Sequence, residues 1–171
     1  MLFASNKHLL NLMKWHSMNW LAVLLCMLAI YILSAQPAVT SNSTSKGIVE
    51  YGVETTIKLT KAEITEPEKW QIINDINSMG REYMHGVVFL VFGLLMKNAV
   101  TQSGGKGIRA IVISLVICIV YAISDEIHQI FVPGRALQLS DLAMDSIGSI
   151  IGITVMRFVE YILNFRRIYS K

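Results

Sequence analysis

Four apolar runs divide this chain, and three of them are too short to cross a bilayer without carrying charged residues along. A spanning helix needs roughly 20 residues. The first run, residues 17–36, meets that length, and no Asp, Glu, Lys or Arg occurs between Lys14 and Lys46. The second run, Tyr83 to Met96, and the third, Ala110 to Ser124, each hold about 15 residues between charges. To span, the second must take in Arg81 and Glu82, and the third Asp125 and Glu126. The fourth is shortest, with few residues between Asp145 and Arg157. Its helix must begin near Leu139 and carry Asp141 and Asp145 inside it.

Composition supports the membrane reading. Hydrophobic residues make up 53% of the chain and charged residues 16%, where a soluble domain carries about 25% charged. The net charge of +3 is small, and no block of Lys or Arg suggests a nucleic-acid-binding arm. The expectation is an all-α membrane protein, a four-transmembrane-helix bundle in one domain over 1–171. The spans fall at about 17–36, 82–100, 108–127 and 139–161. The first run is read as a span rather than a cleaved signal peptide, because Trp20 and Tyr31 suit the two interfaces of a crossing helix. Cys26 and Cys118 sit inside apolar runs and read as buried thiols.

The connection over 37–80 opens with the Ser/Thr-rich stretch TSNSTSK. Further on, Thr65-Glu66-Pro67-Glu68 has the form of a capping box, and Trp70, Ile73, Ile76 and Met79 share one helical face. This predicts a short surface helix in that connection. Gly104 and Gly105 mark a tight turn between the second and third spans.

The basic residues give a sidedness. Lys7 and Lys14 precede the first span, Lys97, Lys106 and Arg109 bracket the Gly-Gly turn, and Arg157, Arg166, Arg167 and Lys171 follow the fourth. None of these flanks carries much acid. The positive-inside rule then puts both termini and the turn in the cytoplasm, and the 37–80 and 125–138 connections outside.

That orientation gathers the ionisable residues at the outer edge. Arg81 and His85 are spaced i,i+4 at the start of the second span, and so are Asp141 and Asp145 on the fourth. Asp125, Glu126, His128 and Gln129 end the third span, and Pro133-Gly134-Arg135 turns the chain back. Ionisable groups at membrane depth cost a few kcal/mol each unless paired. The expected arrangement therefore sets Arg81 and Arg135 against Asp125, Glu126, Asp141 and Asp145, since a guanidinium stays charged and can hold a carboxylate bidentately. Such a cluster either ties helices together or forms an outward-facing pocket for a polar ligand. The second reading is favoured, because apolar packing would tie helices at less cost. A zinc site built from His85, His128 and a carboxylate lacks paired-histidine spacing, so no metal is expected. No G-x-S-x-G elbow accompanies Ser124 or Ser140. Gly148 and Gly152 form a G-x-x-x-G pair, read as helix packing.

The chain resembles the VanZ-like family over most of its length. The resemblance rests on ILSAQP with the following TSNSTS, on REYMH at Arg81 to His85, and on DEIHQIFVPGR from Asp125 to Arg135, followed by Asp141, Asp145 and GSIIG. Glu82, Gly86 and Phe89 depart from the basic residue, aromatic ring and tyrosine usual there. The resemblance implies a multi-pass protein of the bacterial plasma membrane. The founding member is associated with resistance to teicoplanin, a lipoglycopeptide that binds cell-wall precursors.

The function expected is a cell-envelope membrane protein with a pocket for a lipid headgroup or lipoglycopeptide, and a contribution to glycopeptide resistance. Its ligand-binding residues are Arg81, His85, Asp125, Glu126, His128, Gln129, Pro133, Gly134, Arg135, Asp141 and Asp145. Partners are membrane lipids, with cell-wall precursor lipid or lipoglycopeptide as candidates, and no nucleic acid or cofactor. Two alternatives stay open: an intramembrane lipid enzyme using Asp125, Glu126 and His128, and a small transporter, for which a homo-oligomer would supply symmetry.

Overall fold

The computed structural model describes the backbone of residues 2–169 and the side chains of 17–80 and 83–165. Every regular element among these residues is an α-helix: α1 (Leu2–Ser34), α2 (Ala38–Thr60), α3 (Glu66–Gln102), α4 (Gly107–Gln129) and α5 (Leu139–Tyr169). Four helices have stretches long and apolar enough to cross a membrane, namely Ser17–Ser34, Glu66–Gln102, Gly107–Gln129 and Leu139–Phe165.

The connection over 37–80 is more helical than its composition suggests. Pro37 stands at the N-cap of α2 with φ −54°, where its fixed φ costs nothing. The TSNSTS stretch continues the helix because its hydroxyls turn back onto their own backbone. Thr44 Oγ1 donates to the Thr40 carbonyl and Ser45 Oγ to that of Ser41, each at 3.0 Å. The helix ends at Lys61, which takes a left-handed φ of 53°.

The capping box forms as the spacing predicts. The Thr65 N–H and hydroxyl both donate to Glu68 Oε2, at 2.9 and 2.8 Å. The helix it starts is not the short separate one expected. It runs on through Gly80 to Gln102, 37 residues in all, or about 55 Å at 1.5 Å per residue. A lone glycine weakens a helix by only about 1 kcal/mol, and no proline follows Pro67 to stop it. Thus α3 is both the end of the polar connection and the second span, and α2 packs along its first half.

The core is built around α3. Phe89, Phe92, Met96 and Ala99 of α3 pack with Val23 and Ile30 of α1, Ala110, Cys118 and Ala122 of α4, and Ile153 of α5. The α3–α5 contact is the most extensive, and glycine makes it so. A Cβ on Gly148 would strike the Gly86 carbonyl, one on Gly152 the Leu90 carbonyl, and one on Gly93 the Ser149 backbone. Small residues let two backbones touch where lipid supplies no hydrophobic drive between helices. The G-x-x-x-G pair is a packing motif, as expected. Tyr121 of α4 reaches α1, its hydroxyl donating to the Met27 carbonyl at 2.6 Å.

Candidate functional site

Four helix segments meet at one end of the bundle. These are the last turn of α1, the last turns of α4, the first turns of α5, and the stretch of α3 around His85. The helix spacings read from the sequence place the acids here. Asp125, Glu126, Asp141 and Asp145 are all buried.

The buried acids fall into two groups. Asp125 is held by neutral donors: Ser34 Oγ lies 2.8 Å from its Oδ2, and Gln129 Nε2 lies 3.0 Å from the same oxygen. Gln129 in turn accepts from Arg135 at 3.2 Å. Arg135 also donates through Nε to the Gln36 carbonyl at 3.1 Å. Arg135 therefore reaches Asp125 through the Gln129 amide. The chain closes α1, α4 and the 130–138 connection onto one another.

The second group surrounds His85. Its Nδ1 lies 3.4 Å from Asp145 Oδ1 and its Nε2 lies 4.0 Å from Asp141 Oδ2. The i,i+4 spacing of the two aspartates sets them on either side of the ring. Asp145 is fully buried, and neither of its carboxylate oxygens has a hydrogen-bond donor among the described residues. Glu126 uses Oε2 to accept from the Gln138 backbone N–H at 2.9 Å, which fixes the start of α5 against the end of α4. Its Oε1 is buried without such a partner among the described residues.

The remaining expected residues are placed as follows. His128 stacks on Tyr31 with ring centroids 4.6 Å apart. Pro133 and Gly134 form the turn, with Gly134 at φ 77°, a conformation open to glycine at little cost. The Pro133 carbonyl accepts from the Ala38 N–H at 3.2 Å, tying this turn to the start of α2. The side chain of Arg81 lies outside the described residues. Among the described residues, no group of three or more His, Cys, Asp or Glu side chains is placed to hold a metal ion.

A cavity of about 550 Å³ opens beside the cluster, between α1, α2 and α3. Its apolar lining comes from Ile30 and Leu33 of α1 and Met84, Val88 and Phe89 of α3. His85, Ser34, Gln36 and Arg135 also line it, with Ser41, Thr44, Ser45 and Ile48 of α2 and Asn77 of α3. Sequence reasoning missed the α2 wall and Asn77. The hydroxyl-rich stretch was a signal for it, but helical pairing with the first half of α3 was needed to make it a wall.

A second polar cluster lies toward the other end of the α3–α5 contact. Lys97 is 1% exposed, and its ammonium meets both oxygens of Glu160, at 2.7 and 2.9 Å, and Thr101 Oγ1 at 2.6 Å. All three ammonium protons are thereby satisfied. Nearby, Asn98 donates to Asn19 at 3.2 Å and the Trp20 indole to Ser103 Oγ at 2.9 Å.

An all-helical bundle with four membrane-length apolar helices and a buried polar cluster at one end defines a multi-pass membrane protein. Residues 19–160 match the VanZ/LLP1 family, and the chain belongs to it. No curated protein and no solved structure matches the chain.

Proposed function

We propose that this VanZ-like protein of the bacterial plasma membrane holds the polar head of a membrane amphiphile at the outer face. Lipid headgroups and lipoglycopeptides are the candidates, and a contribution to glycopeptide resistance would follow from the second. Both termini and the 103–106 turn would then be cytoplasmic, as the basic flanks require. The observation that carries this reading is the cavity: its walls are apolar on the bundle side, and Arg135 and His85 line it beside the polar cluster. Ligand pockets are mostly apolar, with a few placed polar groups that fix orientation. Arginine suits the phosphate or carboxylate of an amphiphile head.

The test pairs a binding assay with a phenotype. Purified protein in phosphatidylcholine nanodiscs is offered hexadecyl phosphate bearing a diazirine in its chain. Capture at α1 and α3 cavity residues, reduced in Arg135→Ala, is the expected result. Expression should also change teicoplanin susceptibility. Unchanged susceptibility together with equal capture by wild type and Arg135→Ala would end the proposal.

The enzyme alternative gains one specific observation. His85 lines the cavity with Asp145 Oδ1 3.4 Å from its Nδ1, the kind of contact that tightens to a hydrogen bond when a substrate binds. The imidazole packed on Tyr31 is not among the cavity-lining residues. Turnover of a labelled envelope lipid that is lost in His85→Gln and kept in His128→Gln would favour this reading.

A further inference from the structure

Two of the three hydroxyls on the α2 wall of the cavity, those of Thr44 and Ser45, have already given their proton away. Thr44 gives its proton to the Thr40 carbonyl, and Ser45 gives its proton to the carbonyls of Ser41 and Asn42, at 3.0 and 3.2 Å. A hydroxyl has one donor and two lone pairs, so each meets the cavity as an acceptor. Across from them, Asn77 of α3 donates its amide N–H to Asn42 Oδ1 at 2.7 Å. Its own Oδ1 is buried with no partner among the described residues, although each buried amide oxygen calls for a donor. Thr44, Ser45 and Asn77 thus set a belt of acceptors along this wall. It shares the cavity with an apolar surface made by Ile30, Val88 and Phe89.

We infer that the cavity takes an amphiphile with a single apolar chain and a hydroxyl-rich, sugar-like head. The head hydroxyls donate to Thr44, Ser45 and Asn77, and the first part of the chain lies on the apolar surface. An uncharged hydroxyl suits the belt, because Thr44 Oγ1, Ser45 Oγ and Asn77 Oδ1 are neutral acceptors. The volume, about 550 Å³, falls within the roughly 300–1,000 Å³ of small-ligand sites, enough for one head and part of one chain. This inference rests on the proposed function and narrows it from a polar head to one that brings hydroxyl donors.

The experiment uses two chain-matched amphiphiles in phosphatidylcholine nanodiscs holding the full chain. One is hexadecyl β-glucoside and the other hexadecyl phosphate, each with a diazirine in the chain. The double variant Thr44→Val/Ser45→Ala removes both hydroxyls while keeping side-chain size. Glucoside capture is expected to fall about tenfold, as two lost hydrogen bonds imply, with phosphate capture unchanged. Asn77→Leu should lower glucoside capture in the same direction. Capture of the phosphate alone, or glucoside capture insensitive to both variants, would overturn the inference and leave the proposed function standing. Capture of neither amphiphile would overturn both. The variants' size-exclusion profile and thermal midpoint, read alongside, report folding directly.

Discussion

Gly148 of α5 lies against the backbone carbonyl of Gly86 of α3, closer than any side chain would allow. The relationship is one-sided. A Cβ added to Gly86 would find only Met144 atoms at 3.5 Å, an ordinary contact. The ring that the family usually carries at this position is thus absent where α5 comes close to α3, and the close approach depends on the α5 glycines.

The asymmetry gives a sharp prediction. Gly148→Ala and Gly152→Ala must push two helix backbones apart and should cost about 1–3 kcal/mol each, as overpacking does. Gly86→Ala should stay within about 0.5 kcal/mol of wild type. Thermal unfolding in detergent, followed by size-exclusion chromatography, ranks the three. A Gly86→Ala protein less stable than Gly148→Ala would contradict this packing.

The Lys97–Glu160 pair predicts an order of damage. Glu160→Met leaves a buried ammonium with Thr101 as its remaining acceptor among the described residues, and stranding a buried charge costs about 3–5 kcal/mol. Lys97→Met should cost less, because Glu160 keeps Arg157 at 3.7 Å and is itself slightly exposed. The double variant should be more stable than Glu160→Met alone. A double-mutant cycle measures the coupling, and simple additivity would show that the pair does not join α3 to α5 energetically.

The relay from Arg135 to Asp125 predicts action through a residue that is not among those lining the cavity. Gln129→Leu removes the amide that orients Arg135 and also takes a donor from Asp125. Capture of hexadecyl phosphate should fall severalfold in Gln129→Leu. Gln129→Glu should restore part of it by giving Arg135 a charged acceptor. Equal capture in the Leu variant and wild type would mean that the guanidinium is held without the relay.

Sidedness can be read by thiol labelling. Ser43→Cys on α2 should react with an impermeant maleimide in intact cells, and Lys106→Cys should react only after lysis. The native Cys118 is buried and Cys26 half-buried, which keeps the background low. The opposite pattern would reverse the orientation and move the cavity to the cytoplasmic face.

Much of the candidate site was legible because helical spacing is a one-dimensional rule. Asp141 and Asp145 four residues apart had to share a face, and short apolar runs had to draw Asp125 and Glu126 into the bundle. What was not legible was which partner each acid meets. Among the described residues Asp141 and Asp145 flank His85 and Asp125 takes Ser34 and Gln129, while the side chain of Arg81, one of the two arginines the sequence offered, lies outside them. Partner choice depends on helix rotation and separation, which for His85 and the two aspartates of α5 are set by the glycine contacts between α3 and α5.

Run length and charge placement, by themselves, determined an all-helical membrane protein with four spans and acids carried to one end. Hydrocarbon leaves a spanning backbone few other ways to satisfy its hydrogen bonds. The tertiary structure alone decided that α3 runs unbroken from Glu66 to Gln102 and that α2 lies along it. A polar stretch with no apolar period carries no local signal for the neighbour it will wall off. The cavity exists because α1, α2 and α3 converge, and that convergence is a property of packing rather than of any one segment.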